Sequence, residues 1–505
     1  MSMRTLEKNV VNVWGDTGRE WLKNLSNIIA KLSLHWKLSD VTPVENMSYN
    51  YVAFAKQHHI TPVVLKFSCD KALIEDEYRA LTHFNGVGSI QVVDRVTNYN
   101  ALLLEQAIPG CLLKANHPKD VASTIEIYTA VVKALASNPI PKTEYTHVEK
   151  WCQAIDRITD PRISLKYIDK AKELKDYLLS SGENQYLCHG DLHLENIIRH
   201  GYSWLSIDPK GIIGEMAFEA AAFDLLDKAD WNDPETIPDK INQRLSLLAN
   251  QLDIREDRLR AWVFLRVIIS AQWFIEDNGN PDEMLRLASV LYPHLSKRYH
   301  KNNVCLTYET ISDWYDKHRC KDLFEKHYLD RIIKELQPKG SILDLGCGTG
   351  QPIAEYFIQN GFDVTGVDGS QAQINKALQL VPKMHAICDD MRRINLDKKF
   401  DCIIAWHSFF HLNQNGQRAM FEIFKQHIKP GGLLIFTSGT SESEIWSDNG
   451  GEMLYHASLS ENEYRSLLSK YHFDIVLHKI EDPDCGDATV WMTRCNENKV
   501  NKHEQ

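Results

Sequence analysis

The sequence predicts two domains, an α+β domain followed by an α/β domain. Its 505 residues exceed what one hydrophobic core usually organises. Short strand-like runs occupy the first hundred residues, a mainly helical pattern follows to Leu295, and helices then alternate with strands. Such alternation is typical of a mostly parallel sheet covered on both faces. We place the first domain at residues 1–295, a polar linker at 296–305, the second domain at 306–495 and a polar tail at 496–505.

Composition and charge indicate a globular protein that acts on small molecules. The chain is 43% hydrophobic and 25% charged, and its net charge is −11, with an acidic excess in both halves. A protein that binds nucleic acid through phosphates needs a basic patch, so no nucleic-acid partner is expected. Neutral or cationic small substrates suit the acidic balance better.

Cysteine usage and hydropathy predict a cytoplasmic protein. The eleven cysteines are scattered and form no Cys-x-x-Cys motif, which is typical of reduced thiols. The first residues have no apolar core of a signal peptide. The longest apolar candidate, Ala261–Ile275, is interrupted by Arg266 and is interpreted as a buried helix. No membrane partner is expected, and the sequence predicts no oligomeric state.

The first domain begins with an amphipathic helical stretch within residues 1–38, where apolar residues recur at helical spacing. A compact α+β region follows it, with the order strand, strand, helix, strand, strand. The predicted strands are 51–55, 62–67, 90–96 and 101–106, and the predicted helix is 71–84.

The segment from His189 to Asn196 has the spacing of a phosphoryl-transfer loop. Asp191 follows a short apolar run and a glycine, so its carboxylate lies on a tight loop where it can accept or orient an acceptor hydroxyl. Asn196, five residues later, supplies an amide oxygen for Mg²⁺. Asp208 ends the next strand and is the second predicted Mg²⁺ ligand, facing the phosphates of a nucleotide.

A lysine that binds the phosphates is predicted at Lys66, which ends an apolar strand. Glu77, eleven residues later on the next helix, is its predicted partner. Glu75 and Asp76 are alternatives for that partner. The loop before the lysine strand, residues 46–50, contains no glycine, so only Ser48 and backbone amides remain for contact with phosphate.

Together these motifs resemble the aminoglycoside phosphotransferase superfamily, and in particular its streptomycin and hydroxyurea phosphotransferase branch. The resemblance covers residues 10–295 and includes these further segments: Trp14-Gly15, Trp21, Asn50–Val52, Leu103–Glu105, Pro109-Gly110 and Ile207–Gly211. It implies a bilobal protein-kinase-like fold with Asp191 as the catalytic aspartate and Asn196 and Asp208 as Mg²⁺ ligands. It also implies that ATP binds at a hinge from Glu105 to Ala107, whose backbone reads adenine.

An acidic run after the metal aspartate has two interpretations. Its carboxylates either face a polycationic sugar, as they often do in this superfamily, or form a solvated helix face. The residues are Glu215, Glu219, Asp224, Asp227 and Asp230.

The second domain contains a glycine-rich loop between a strand and a helix. Asp344 precedes glycines at 346, 348 and 350, which let the backbone approach a ligand at the carboxyl end of a parallel strand. Gln351 stands where the dinucleotide fingerprint requires glycine or alanine, so the motif is the S-adenosylmethionine version. Asp368 ends the next strand, where a carboxylate can accept both ribose hydroxyls.

Further positions extend the pattern. Asp390 and Met391 follow the third strand, at the height where adenine is expected to lie. A fourth strand runs from Phe400 to Trp406, and Pro430-Gly431-Gly432 forms the turn into the fifth. Over residues 306–495 this order resembles the Rossmann-like class I S-adenosylmethionine-dependent methyltransferases, which implies Asp344, Gly346, Gly348, Gly350, Asp368, Asp390 and Met391 as cofactor-binding residues.

The methyl-acceptor side is predicted after the fourth strand. His407 is the candidate catalytic residue, although related small-molecule methyltransferases usually have an acidic residue there. His407 and His411 could share one helical face, and they are interpreted as cavity-lining or core residues rather than metal ligands. Three aromatic residues either cap the site or belong to the core: Tyr308, Trp314 and Tyr315. Tyr455-His456 and Asp482–Gly486 are predicted to be loops on the substrate side.

The sequence therefore predicts a bifunctional enzyme that uses ATP, Mg²⁺ and S-adenosylmethionine on small molecules, in antibiotic resistance or in biosynthesis. The phosphoryl acceptor is expected to be aminoglycoside-like or hydroxyurea-like. Two alternatives remain: a methyltransferase regulated by a kinase-like binding module, and a methyltransferase of macromolecules.

Overall fold

The computed structural model describes residues 2–116, 119–140, 145–181, 184–296, 301 and 303–496. The chain divides into two compact units. The N-terminal unit is Met1–Leu178 with Gly182–Leu295, and the C-terminal unit is Leu179–Ser181 with Ser296–Gln505. Half of the predicted linker (297–300 and 302) and nearly all of the predicted tail (497–505) lie outside the described residues. No helix in the described part of the chain is long and apolar enough to span a membrane.

The N-terminal unit begins with a long helix that is interrupted at Gly15. The helix α1 spans Ser2–Trp36, and Gly15 has φ 54° and ψ −122°, which no helical residue adopts. The second segment folds back closely on the first, because a Cβ on Gly18 would lie 2.6 Å from the Val10 carbonyl oxygen. The predicted amphipathic helix is therefore part of a helical hairpin.

A five-stranded antiparallel sheet with the order β1-β2-β3-β5-β4 follows the hairpin. Its elements are β1 (Leu38–Pro43), β2 (Tyr51–Gln57), β3 (Thr61–Phe67), α2 (Lys71–Phe84), β4 (Val92–Val96) and β5 (Ala101–Glu105). Apolar side chains of α1 and of β2, β3 and β5 form one core. The four strands and the helix predicted from the sequence are confirmed within two residues at each end.

The rest of this unit is mainly helical. Its helices are α3 (Val121–Ala136), α4 (Val148–Cys152), α5 (Leu165–Ser180), α6 (Met216–Ala220), α7 (Ile237–Leu252), α8 (Glu256–Glu276) and α9 (Asp282–Leu291). Two three-stranded sheets, β10-β9-β6 and β7-β11-β8, frame the Asp191 segment. Their strands are β6 (Pro109–Leu112), β7 (Thr146–His147), β8 (Gln185–Cys188), β9 (Ile197–His200), β10 (Ser203–Ser206) and β11 (Ile212–Glu215). The apolar run 261–275 lies within α8 and is largely buried, as predicted.

The C-terminal unit is a three-layer α/β structure. Its seven-stranded sheet has the order β14-β13-β12-β15-β16-β20-β19. The strands are β12 (Ser341–Leu345), β13 (Asp363–Asp368), β14 (His385–Cys388), β15 (Phe400–Ala405), β16 (Ile428–Ser438), β17 (Ser443–Asn449), β18 (Glu452–Ser458), β19 (Phe473–Asp482) and β20 (Ala488–Cys495). The helices are α10 (Val304–His318), α11 (Lys326–Glu335), α12 (Ile353–Gln359), α13 (Gln371–Leu380), α14 (Gln414–His427) and α15 (Glu461–Lys470).

The central strands pair in parallel, whereas β20 pairs antiparallel with β16 and β19. Alternate residues of β12 belong to two different cores, because Ile342 faces one and Leu343 and Leu345 face the other. The sheet is thus covered on both faces, as the alternating pattern predicted. Parallel strands direct their carboxyl ends to one edge, where the glycine-rich loop lies.

Two predicted boundaries in this unit need correction. The apolar spacing over residues 321–336 predicts one helix, but the helix begins at Lys326. The predicted fifth strand, 432–437, begins at Ile428 and includes Pro430-Gly431-Gly432, which is therefore an irregularity within β16 rather than a turn. The sequence did not indicate this earlier start of β16, because proline and glycine usually end a strand.

Candidate functional sites

Lys66 lies at the centre of a buried ionic network in the N-terminal unit. Its ammonium on β3 donates to Glu77 Oε1 at 2.9 Å and also binds Asp208. Glu77 is therefore the residue that the structure places against the lysine. The other two candidates do not contact it, since Glu75 pairs with Arg95 and Asp76 has no ion pair with Lys66 among the described residues. The two carboxylates raise the pKa of Lys66 although burial lowers it, so the lysine stays charged.

The loop of Asp191 connects β8 to β9 and is tied to the Asp208 segment by His189. The Asp191 N–H donates to His189 Nδ1 (3.2 Å), and His189 Nε2 donates to the Ile207 carbonyl (2.7 Å). Burial lowers the pKa of His189 to about 4, so its imidazole is neutral, as this pair of bonds requires. The arrangement joins the two aspartates predicted to act in phosphoryl transfer.

Two side chains whose role in this loop the sequence did not predict, the buried Glu219 and the half-buried Arg266, hold the same loop. The Glu219 carboxylate accepts the N–H groups of His189 (3.2 Å) and Gly190 (2.9 Å). Arg266 Nη1 donates to the Gly190 carbonyl at 2.9 Å. Burial raises the pKa of Glu219 to about 7. A signal for this role was available, because an arginine inside the otherwise apolar run 261–275 needs a buried partner.

The predicted Mg²⁺ ligands are arranged for a metal held partly by phosphate. Asn196 Nδ2 donates to the Asp191 carbonyl at 2.8 Å, which leaves its amide oxygen available. Asp208 has φ 62°, and its side chain is 43% exposed, so its carboxylate binds Lys66 through Oδ1 and is still accessible to a ligand. Among the described residues no group of three His, Cys, Asp or Glu side chains could hold a metal. Two oxygen ligands suit Mg²⁺, which usually takes the rest from water and phosphates.

The acidic run requires correction, because most of it supports the fold. Glu215 binds Arg258 at 2.7 Å and both are buried. Asp230 is buried against Arg244 (2.6 Å), and Glu219 holds the catalytic loop. Neither a solvated helix face nor a receptor for a polycationic sugar describes these three residues. Asp224 and Asp227 are half-buried, and Asp224 accepts the N–H of Leu194 at 3.0 Å.

The predicted adenine hinge connects β5 to β6. The Glu105 N–H donates to the Gln91 carbonyl (3.0 Å), and the Ile108 N–H donates to His200 Nδ1 (3.0 Å). Between them, the N–H of Ala107 donates to no described residue. A carbonyl at Glu105 and a free N–H at Ala107 form an acceptor and a donor in the order that the edge of adenine requires.

The glycine-free loop at residues 46–50 is held by the helical hairpin. Asn9 Nδ2 donates to the Ser48 carbonyl at 3.2 Å, and the Trp14 ring packs edge-on against Tyr49 with centroids 6.2 Å apart. Met47 is buried. The loop is therefore fixed by packing with α1, which compensates for the absence of glycine.

In the C-terminal unit, a cavity of about 650 Å³ lies at the carboxyl edge of the sheet and is lined by Gly346, Gly348, Asp368, Asp390, Met391 and His407, among others. A Cβ on Gly348 would meet only Tyr315, 3.9 Å away, so the backbone is open to the cavity. Gly350 does not line the cavity; a Cβ there would lie 3.0 Å from Met384 Cε. The third glycine thus serves close packing with the end of α13.

Asp344 and Asp368 have different environments. Asp344 is buried behind the loop, does not line the cavity, and burial raises its pKa to about 7. Asp368 lines the cavity and accepts the N–H groups of Gly348 and Ser370, each at 2.9 Å. Carboxylate oxygens have further lone pairs, so Asp368 can still accept ribose hydroxyls. The sequence prediction of direct contact suits Asp368 and not Asp344.

Asp390 and Met391 lie beside each other at the cavity wall, but Asp390 is already paired. Its carboxylate accepts from Arg392 Nε at 2.9 Å. Met391 Cε approaches Gly346, 3.3 Å from the position of a Cβ there. Met391 is therefore the apolar surface available to a flat ring, and Asp390 holds the arginine.

His407 follows β15 in a left-handed conformation with φ 49°. Its N–H donates to Thr437 Oγ1 at 2.9 Å, which fixes the backbone while the imidazole lines the cavity. Burial lowers the pKa of His407 to about 4, and Arg319 contributes to this. The ring is neutral at pH 7. Strained positive φ values at polar cavity residues are typical of functional sites.

His411 is not on a helical face with His407, because only Phe409–His411 form a short 3₁₀ turn. Its Nε2 accepts from the Tyr308 hydroxyl (2.9 Å), and its Nδ1 donates to the Tyr455 carbonyl (2.9 Å). Both nitrogens are occupied, so His411 positions Tyr308 and is no candidate for proton transfer. Tyr308 and Tyr315 line the cavity as predicted for a cap, whereas Trp314 does not.

Two polar cavity residues have no counterpart in the sequence prediction. The Nε of Arg319 is buried with no partner among the described residues, and its Nη1 donates to the Tyr315 hydroxyl. Both amide atoms of Gln373, which is 1% exposed, also lack partners in the described chain. Because buried polar groups are rarely left without a hydrogen-bond partner, these atoms are available to a ligand or to water in the cavity. Asp482, by contrast, is buried against Tyr328 and does not line the cavity, so the predicted substrate-side loop 482–486 is structural.

Both units therefore define a transferase, with a phosphotransferase half and a methyltransferase half. The chain belongs to the family of aminoglycoside/hydroxyurea antibiotic resistance kinases, whose model matches residues 35–278. Residues 315–478 match the model of a methyltransferase domain.

Named relatives cover the two halves separately. Streptomycin 3″-kinase from Klebsiella pneumoniae is 31% identical over 228 residues, which are 43% of this chain and 81% of the relative. Hydroxyurea phosphotransferase from Kitasatospora aureofaciens is 24% identical over 55% of this chain and 82% of its own length. Ubiquinone biosynthesis O-methyltransferase from Rickettsia bellii is 32% identical over 118 residues, 23% of this chain and 45% of the relative. The chain thus spans about half of that methyltransferase.

Proposed function

We propose that the chain is a bifunctional transferase. The N-terminal unit, with a two-lobed kinase-like arrangement, phosphorylates a hydroxyl of a small molecule with ATP and Mg²⁺. The C-terminal unit methylates a small molecule with S-adenosylmethionine. The observation that supports the first activity most directly is the contact of Lys66 with both Glu77 and Asp208, beside Asp191.

In the phosphoryl transfer, an acceptor oxygen bonds to the γ-phosphorus while the bond from that phosphorus to the β–γ bridging oxygen breaks, and ADP leaves. Asp191 accepts or orients the acceptor proton. Burial raises the pKa of Asp191, but the charges of His193, Lys210 and Arg266 lower it by more. The pKa therefore lies below its ordinary value, and the carboxylate is ionised at neutral pH. Asn196 and Asp208 would hold Mg²⁺ against the phosphates.

The cavity of the C-terminal unit fits S-adenosylmethionine. Gly348 leaves room for the ligand, Asp368 suits ribose hydroxyls, and the Arg319 guanidinium suits the α-carboxylate of the methionine part. The bound cofactor supplies the methyl group. The chain contributes proximity and orientation, and neutral His407 can accept a hydrogen bond or a proton from the acceptor.

For the phosphoryl acceptor we propose an aminoglycoside-like or hydroxyurea-like compound, in accord with the names of the relatives. Both substrates are small molecules, because the net charge of −11 disfavours nucleic acid. The eleven free cysteines support a cytoplasmic location. Either drug resistance or biosynthetic tailoring would use such a pair of activities.

The test is incubation of the purified chain with Mg-ATP, S-adenosylmethionine, and a panel of aminoglycosides, hydroxyurea and cell metabolites. Mass spectrometry is expected to show a phosphoryl gain that Asp191→Ala abolishes and a methyl gain that Asp368→Ala abolishes. Each variant is the control for the other activity.

Methyl gain without any ATP turnover would demote the N-terminal unit to a binding or regulatory module. Methyl transfer to RNA or protein, but to no metabolite, would replace the small-molecule proposal with a macromolecule methyltransferase.

A further inference from the structure

The phosphate site of the N-terminal unit has an unbalanced set of charges. The site contains three carboxylates, Glu77, Asp191 and Asp208, and Lys66 is bound to the first and the last of them. The glycine-free loop at 46–50 supplies no cation. A phosphoryl transition state carries negative charge on three equatorial oxygens. A cationic side chain near the γ-phosphate would add to the stabilisation that Lys66 and the Mg²⁺ at Asn196 and Asp208 would provide.

Lys210 is held between the two functional aspartates. Its N–H donates to the His189 carbonyl at 2.7 Å, and a Cβ built on Gly190 would lie 3.4 Å from the Lys210 Cβ. Pro209 and Gly211 on either side are buried. The backbone of this exposed lysine is therefore fixed two residues after Asp208 and against the residue that precedes Asp191.

The ammonium of Lys210 has no hydrogen bond or ion pair within the described ranges, although carboxylates lie nearby. Arg266, the other cation close to Asp191, is committed to the Gly190 carbonyl and packs over Phe218. Lys210 is thus the cation in this site that remains available to a ligand.

The electrostatics agree with this placement. Burial raises the pKa of Asp208, but Lys66 and then Lys210 lower it below its ordinary value. For Asp191, His193 and then Lys210 have the same effect against burial. One ammonium thus acts on both of the carboxylates that are predicted to flank the transferred group.

We propose that Lys210 contacts the γ-phosphate of the nucleotide and stabilises the negative charge that its oxygens carry during transfer. This assignment rests on the proposed kinase function. Lys210 itself forms and breaks no covalent bond. Lys66 acts on both ADP and ATP through the network with Glu77, whereas Lys210 acts only where a γ-phosphate is present.

The decisive experiment measures binding of Mg-ADP and of Mg-β,γ-imido-ATP by calorimetry to the full chain. Lys210→Ala is expected to weaken the binding of imido-ATP about tenfold and to change the binding of ADP by no more than about twofold. The variant loses one charge-assisted hydrogen bond, and only the nucleotide that carries a γ-phosphate makes that bond. Lys66→Ala is expected to weaken both nucleotides. Lys210→Arg should restore part of the selectivity, and Lys172→Ala, an exposed lysine on α5, is the matched control.

With an accepted substrate, Lys210→Ala should also lower kcat by about 10²–10³ without a change in the melting temperature. Equal loss of both nucleotides, or no loss of either, in a chain whose wild type binds both would overturn the role of Lys210 and leave the kinase proposal intact. A wild-type chain that binds neither nucleotide would refute the kinase proposal and Lys210 with it.

Discussion

At the scale of single residues, Gly190 combines two requirements that only glycine meets. Its φ is 87°, in the left-handed region, and a Cβ would lie 2.8 Å from Ile212 Cγ1. Gly190→Ala is expected to destabilise the N-terminal unit by about 2–4 kcal/mol through strain and overpacking. It should also lower phosphorylation by shifting Asp191. Urea unfolding and the activity assay measure the two effects.

Gly201→Ala separates the cost of backbone strain from the cost of steric overlap. Gly201 has φ 57° and nothing within 4 Å of a Cβ position, so its substitution should cost only about 1–2 kcal/mol and leave kinase activity unchanged. Equal costs at both glycines would contradict the importance of the packing under the catalytic loop.

A second residue-scale prediction concerns Asp344, whose pKa burial raises to about 7 from 3.8. An acid with a raised pKa in the folded state contributes most stability below its unfolded pKa, and this contribution is lost as the pH rises from about 4 through 7. Asp344→Asn stays uncharged. The variant is therefore expected to become more stable relative to the wild type between pH 5 and pH 8. The difference in the free energy of unfolding should grow by about a few kcal/mol, and the difference in melting temperature should grow with it.

The pH series needs one check, because other groups also titrate. Asp401→Asn is a matched control, since Lys429 and Ser341 hold the pKa of the half-exposed Asp401 below its usual range. Its difference from wild type should not grow above pH 5. If the stability difference between Asp344→Asn and the wild type does not change with pH, the pKa of Asp344 is not raised by burial.

At the scale of elements, the helical hairpin α1 fixes the loop at residues 46–50, which is expected to face the phosphates. Trp14 donates from Nε1 to Asp70 Oδ2 (3.3 Å) and packs on Tyr49. Trp14→Ala is expected to raise the KM for Mg-ATP roughly three- to tenfold, with a smaller effect on kcat. This change corresponds to about 1 kcal/mol of binding free energy, which is lost because the loop is less ordered. Steady-state kinetics with varied ATP measures this split.

Arg19→Ala is the control on the same helix. Arg19 is exposed, and among the described residues its ion pair is with Asp16, three residues earlier, so the variant should bind ATP as the wild type does. If Trp14→Ala leaves the KM unchanged, the hairpin supports only the core of the sheet and not the nucleotide loop.

At the scale of the whole molecule, the two units contain separate hydrophobic cores. Residues of α1, α2 and β2 to β5 form two of the cores of one unit, and those on the two faces of the seven-stranded sheet form the cores of the other. Pieces 1–295 and 296–505 are therefore expected to fold separately, each with one cooperative unfolding transition. Circular dichroism during urea titration measures this.

Each piece should also retain one activity. Piece 1–295 should phosphorylate and lose that activity in Asp191→Ala, and piece 296–505 should methylate and lose it in Asp368→Ala. A piece that unfolds without cooperativity, or that regains activity only when the other is added, would show that the two activities depend on each other.

Local motifs account for what the sequence by itself determined. The phosphotransferase half was predicted from a lysine at the end of a strand, a glutamate on the next helix, and the spacing of Asp191, Asn196 and Asp208. The order and spacing of these groups along the chain can be read directly from the sequence. Asp368 and the glycines at 346 and 348 likewise predicted a cofactor edge. Periodicity gave most elements within two residues, since the apolar repeat of a strand or helix is a local property.

Only the tertiary structure decided which polar groups act and which support. Glu219 and Arg266 meet at Gly190 from distant parts of the chain, and Arg319 and Gln373 reach one cavity from the segment after α10 and from α13. The acidic residues Glu215 and Asp230 look like a substrate surface in the sequence but are buried against arginines. Burial and long-range pairing set the cost of a charge, and neither is encoded in the spacing of neighbouring residues.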